Sequence, residues 1–292
     1  MFRRYVAILL AVLGLVMVVA SGCTILTEIP HQTEKPSGEA GGTTQGSHTE
    51  ATGEPTSVPT QSDPEPEPDP EPSAPPESEP EEKVWTVCID AGHQSYGISE
   101  KEPNGPGSTE MKAKLTSGTR GVATKIPEYQ LTLDVSLLLE QELQARGYNV
   151  VMIRRTNDCP LSNAERAQVA NESGADIFIR IHANGSEVST VSGMLCCAPT
   201  QSNPYLSSEV ISESIRLSQL VVDRFCDVTG ARNRGLMGTD TMTGINWCQI
   251  PVTIVEMGFM SNPEEDKLMA TDTYRALMVQ GIADGIDAYF GE

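Results

Sequence analysis

Histidine is scarce in this chain. Four occur in 292 residues, and beyond residue 83 only His93 and His182 remain. Aromatic residues make up 5 % of the chain, and residues 24–83 contain none, so that stretch has little with which to build a core. No two of the seven cysteines are spaced as CxxC, which excludes the common thiolate cage for zinc. Positive charge is also sparse: 20 Lys and Arg stand against 40 Asp and Glu, for a net charge of -20. No region is basic enough to track a phosphate backbone, which excludes nucleic acid as a partner. Long apolar runs are limited to one, Tyr5–Ala20, short for the roughly 30 Å of hydrocarbon that a helix must cross.

That run is nonetheless informative. Arg3 and Arg4 precede it, and Ala20-Ser21-Gly22-Cys23 closes it. A charged start, a short apolar centre and small residues at the end make a secretory signal. Cys directly after Ser-Gly resembles a bacterial lipoprotein processing site, although Ala20 stands where such sites usually carry Leu. The resemblance implies a lipoprotein-type signal peptide over 1–23 and a lipidated Cys23 as the link to a membrane. The expected location is extracytoplasmic and membrane-anchored.

Residues 24–83 hold 12 of the 20 prolines and a net charge of -12. Such a segment cannot bury enough apolar surface to offset its ordering entropy, so a disordered acidic linker is expected there. Repeated Pro and like charge favour an extended spacer of about 3.1 Å per residue, reaching on the order of 100 Å.

From Val84 the composition changes. Val84–Asp90 reads as a buried strand, and the polar, Gly- and Pro-rich stretch 94–127 as a long loop. Leu131, Val135, Leu138, Leu139 and Leu143 mark a helix ending near Gly147. Further strands are expected at 149–155, 176–181, 192–198 and 251–256. Helices are expected at 162–173, 207–228 and over most of 263–290. Alternating strands and helices predict one α/β domain over 84–292, with a largely parallel sheet.

His93 and His182 occupy equivalent places, each just after a predicted strand. In open α/β sheets, ligands bind beyond the carboxyl ends of the strands, so two imidazoles there can share a metal. A catalytic zinc often takes two His and one carboxylate, leaving one position for water. Glu128, opening the first long helix, is the candidate third ligand; an ordinary acid favoured by the helix dipole reads the same way. Glu256 ends a buried apolar strand, where an ionised carboxylate is costly unless a cation or hydrogen bonds compensate. Beside a metal-bound water it suits a general base; a salt bridge is the alternative.

The segments Ile89–His93, Glu128–Leu131, Ile179–Asn184 and Val255–Pro263 resemble, in order, the signatures of zinc N-acetylmuramoyl-L-alanine amidases of the type-3 class. Leu161–Asn171 is similar as well. The resemblance implies a sheet of about six strands flanked by helices, with His93, Glu128 and His182 as Zn²⁺ ligands and Glu256 as the catalytic carboxylate. It also implies hydrolysis of the amide between N-acetylmuramic acid and L-alanine in peptidoglycan. Two departures are visible: Gln94 replaces the usual Gly after the first His, and the stretch from His93 to Glu128 is longer than the family norm. Arg166 and Asn184 lie in matching segments but stay outside the catalytic set, read as a salt-bridge residue and a turn cap or substrate contact. The 94–127 loop is expected to shape the groove or to act as a lid. Competing readings are another zinc hydrolase of the wall, a carboxypeptidase or deacetylase, and a non-catalytic wall-binding lipoprotein. No sequence signal identifies an activating partner.

Overall fold

The computed structural model describes residues 83–292. The expected leader 1–23 with Cys23, and the linker up to residue 82, lie outside the described residues.

Eight strands and six helices make up the described chain. The main sheet has six strands in the order β4-β1-β5-β8-β6-β7. Its centre is β1 (Thr86–Ala91), β5 (Ile177–Asn184) and β8 (Val252–Phe259), all parallel, with β4 (Asn149–Met152) parallel on the outer side of β1. β6 (Met194–Ala198) runs antiparallel to β8 and carries β7 (Asn233–Gly238) parallel to itself. The expected mostly parallel six-stranded sheet is therefore present, with two strands reversed.

The two faces of the sheet follow from residue alternation. Val87 and Ile89 of β1, and Ile177, Ile179 and Ile181 of β5, point into one core. That core is closed by α1 (Glu128–Ala145), α3 (Ser208–Thr229) and α6 (Asp272–Phe290). Cys88 and Phe178 point the other way, against α2 (Asn163–Glu172) and the short α4 (Thr243–Asn246). Asp90 and Arg180 share the parity of this second face, and that placement bears on the site below. The long apolar helices carry their own end signals: Ser207 caps α3 through the Val210 amide, and Gly230 ends it with φ +70°.

Several elements differ from expectation. The stretch 94–127 is not a plain loop: it holds an antiparallel hairpin of β2 (Ile98–Pro103) and β3 (Met111–Leu115). The hairpin is mostly exposed and charged, so no apolar run announces it; only the alternation of Met111, Ala113 and Leu115 with two lysines carries the period. Nor is it a free lid. Trp247 Nε1 donates to Pro103 O at 2.9 Å, Asn246 Nδ2 to Asn104 O at 3.0 Å, and Asn163 Nδ2 to Lys114 O at 2.9 Å. β7 was hidden by Gly235, with φ +73°, and by its polar start. The C-terminal helical stretch splits into α5 (Pro263–Met269) and α6, because the Thr271 side chain caps the Tyr274 amide and starts a new helix. No disulfide joins the six cysteines of the described residues, and five of them are buried.

Candidate metal centre at the sheet edge

β1, β5 and β8 deliver their carboxyl ends to the same edge of the sheet. His93 lies just past β1, and His182 lies within β5. Glu256 is the register partner of His182 on β8, so the two side chains stand side by side on one face. Glu128 is the first residue of α1.

Three donor atoms converge. His93 Nε2 lies 3.0 Å from Glu128 Oε1, His182 Nδ1 lies 3.4 Å from the same oxygen, and the two nitrogens are 3.1 Å apart. Donors held about 2.0–2.1 Å from a tetrahedral ion are separated by roughly 3.4 Å, so the triangle has the size of one face of such a site. His93 Nδ1 is 2.9 Å from the Thr116 carbonyl. A carbonyl can only accept, so Nδ1 carries the proton and Nε2 turns its lone pair inward. Glu128 is buried and takes two backbone donors, Thr119 N on Oε2 at 2.8 Å and Ala183 N on Oε1 at 3.1 Å. His93, Glu128 and His182 form a group able to hold a metal ion.

Charge supports the same reading. The His93 and His182 rings outweigh burial and hold the Glu128 carboxyl well below the usual carboxylate range. Burial pushes His182 down to about 4, so this imidazole is neutral at pH 7. His93 is raised: burial opposes, but the Glu128 carboxylate wins. A fixed anion beside a neutral imidazole, with a second imidazole drawn to the same carboxylate, suits a cation. Two buried atoms, His182 Nε2 and Glu256 Oε2, have no hydrogen-bond partner among the described residues. Burial and the Glu128 charge raise the Glu256 carboxyl to about 8.

Behind the ligand group lies a support that sequence reasoning missed. Arg154 Nε donates to Ala91 O at 2.6 Å and Nη2 to Gly92 O at 3.0 Å. Arg166 Nη1 donates to Ala91 O at 3.1 Å and Nη2 to His93 O at 3.2 Å. Three consecutive carbonyls leading into His93 are thus gripped by two guanidiniums. The grip has a use, because His93 has φ +63°, a conformation that non-glycine residues seldom adopt without outside restraint. Asp90, between Arg166 and Arg180, completes the support. A charged residue inside each of two apolar strands was the signal that could have found it. Arg166 is therefore a buried ion-pair residue, as expected. Asn184 Oδ1 accepts from Gly185 N at 2.8 Å, the turn-capping role. Gln94, the departure from the family pattern, is buried and accepts from Cys159 N at 3.0 Å.

Residues 87–288 match the family model described as N-acetylmuramoyl-L-alanine amidase. The chain belongs to that family. It is 28 % identical over 213 residues to the N-acetylmuramoyl-L-alanine amidase Rv3717 of Mycobacterium tuberculosis, covering 68 % of this chain and 84 % of the relative. It is 26 % identical over 163 residues to the amidase LytC of Bacillus subtilis, covering 56 % of this chain and 31 % of that longer protein. Among solved structures, the amidase Ami1 of Mycobacterium smegmatis superimposes with a TM-score of 0.64 at 27 % identity, covering 71 % of this chain and 97 % of the other.

In this amidase one glycine at the site is dictated by close packing. A Cβ on Gly92 would sit 2.4 Å from His182 Cε1 and Nε2. Gly92→Ala is therefore expected to displace the His182 ring and weaken metal binding by about 10–100-fold, the range found when groups that orient metal ligands are altered. Metal affinity measured by competition with a chelator checks this; unchanged affinity would mean the ring can shift without cost.

Proposed function

We propose that this amidase is a zinc enzyme of the cell envelope, exported by residues 1–23 and tethered through a lipidated Cys23. In this reading the acidic linker 24–83 spaces the catalytic domain 84–292 from the membrane. Among the described residues no helix is long and apolar enough to cross a membrane. The substrate is peptidoglycan, and the bond cut is the amide between N-acetylmuramic acid and L-alanine.

His93, Glu128 and His182 would hold the metal, and the observation that carries this is the 3.0–3.4 Å triangle of donor atoms. Bound there, zinc supplies a Lewis acid for the amide carbonyl and lowers the pKa of water toward about 7. Glu256 does the proton work. Its Oε2 is free of other partners and stands beside His182. From there it takes the proton of the attacking water and passes it to the amine that leaves with L-alanine. Burial and the Glu128 charge raise its proton affinity above that of an ordinary carboxylate, which favours holding the proton taken from water until the amine leaves. The two backbone amides on Glu128 and the Thr116 carbonyl on His93 keep the ligand side chains aimed before substrate arrives.

The test is digestion of purified walls with and without a chelator, with products read by mass spectrometry. Intact stem peptides freed from glycan, loss of at least about 100-fold of the rate with chelator, and restoration by zinc are expected. Release of a single terminal amino acid would indicate a carboxypeptidase, and release of acetate a deacetylase. Full activity in the chelated protein would remove the metal from the reading.

A further inference from the structure

Positive charge without a carboxylate partner is unevenly placed in the described residues. Most Lys and Arg side chains are ion-paired. Apart from the buried Arg154, the exceptions are Lys101 and Lys114 on the hairpin, Arg120 and Lys125 in the turn before α1, and Arg232 and Arg234 at β7. Of these, Arg120 directly follows Thr119, whose amide binds Glu128 Oε2 at 2.8 Å. It lines a cavity of about 240 Å³ together with Ser117, Gly118, Thr119 and Tyr129. Gly118, which lines the same cavity, packs against two of the three grouped residues: a Cβ on it would meet Glu128 Oε2 at 2.6 Å and the His93 ring at 2.8 Å.

The Arg120 side chain donates only from Nη1, to the Lys125 carbonyl at 2.8 Å, which leaves the rest of its fork available. The hydroxyls of Ser117, Thr119 and Tyr129 have no hydrogen-bond partner among the described residues. A guanidinium and three uncommitted hydroxyls around one small cavity are the makings of a carboxylate site, because a guanidinium fork matches a carboxylate in two parallel bonds. In a stem peptide the first carboxylate beyond the scissile amide belongs to the residue after L-alanine. That position carries either a free acid or its amide.

From this juxtaposition we propose that Arg120, with Ser117, Thr119 and Tyr129, forms a subsite for that second-residue carboxylate, so that the enzyme prefers stems in which it is free to stems in which it is amidated. The inference rests on the amidase reading above. Arg120 does no chemistry in it; it is a specificity residue that binds the peptide while His93, Glu128, His182 and Glu256 act on the bond.

The experiment uses two N-acetylmuramoyl dipeptides, L-alanyl-D-glutamic acid and L-alanyl-D-isoglutamine, with the intact chain and its Arg120→Gln and Arg120→Lys variants. The wild type is expected to cleave the acid with a kcat/KM about tenfold or more above that of the amide. Arg120→Gln should lose that preference by slowing the acid alone, and Arg120→Lys should restore part of it. Equal slowing of both substrates, or an unchanged ratio, overturns the subsite. The same pair is titrated by calorimetry into Glu256→Gln with and without Arg120→Gln. The acid should bind about tenfold more tightly only when Arg120 is present; equal binding overturns the inference. If neither dipeptide is cleaved by the wild type, the reaction assigned above is wrong, and the binding comparison still decides Arg120.

Discussion

Glu256→Gln is expected to reduce turnover on purified wall by about 10²–10⁴-fold while leaving the metal content of the protein unchanged. The substitution keeps the shape of the side chain and removes its ability to take a proton. Oε2 has no hydrogen-bond partner among the described residues, so an amide in its place breaks no bond there. It also removes a buried carboxyl whose ionisation is disfavoured by burial and by the Glu128 charge, so stability should hold or rise slightly. Loss of activity with retained metal and an unchanged melting temperature isolates the proton transfer. Loss of metal together with activity would make Glu256 a ligand, and the triangle of His93, Glu128 and His182 would then be incomplete. Wild-type activity would place the general base elsewhere.

The parts of this molecule that were legible in the sequence share a physical cause. β1, β5 and β8 are buried on both faces, so each is a near-continuous apolar run, and α1 declares itself by periodicity and the glycine beyond its end. Elements that bury little were not legible. The β2–β3 hairpin is held by polar bonds from Trp247, Asn246 and Asn163, which no local pattern encodes. At the site, His93 and His182 stood out because the domain has no other histidine and each follows an apolar run read as a strand, although β5 extends past His182 to Asn184. Glu128 did not stand out on its own, since an acid opening a helix has an ordinary explanation; its distinction is the convergence at 3.0 and 3.4 Å on two imidazoles. The clamp of Arg154 on the carbonyls of Ala91 and Gly92 was beyond reach, because it joins residues 62 and 63 apart through main-chain oxygens that every sequence possesses.

Asp90→Asn should be the most destabilising single change near the site, by about 3–5 kcal/mol, because it leaves two guanidiniums facing each other with no anion between them. Asp90 and Arg166 are fully buried and Arg180 nearly so. Oδ1 accepts from Arg166 at 2.7 Å, and Oδ2 from Arg180 Nε at 3.0 Å. At about 2–4 °C per kcal/mol for a domain of this size, the melting temperature should fall by on the order of 10 °C. The pH dependence carries a sign. Burial works against ionisation of Asp90, but Arg166 and Arg180 outweigh it and hold its carboxyl well below the usual range. Its contribution is thus complete above the unfolded value of about 3.9 and is lost as pH falls toward the lower folded value. Thermal melts from pH 7 down to about 3 should show wild type and variant far apart at the top and only beginning to approach each other at the bottom, because the folded carboxyl is still ionised there. The site should feel the change as well. Arg166 also holds the His93 carbonyl, so loosening it frees the strained φ of His93 and should weaken metal binding in the folded variant. A variant melting within about 2 °C of the wild type would mean that water or a rotated guanidinium replaces the carboxylate, and that the three charges are not the anchor of the His93 loop.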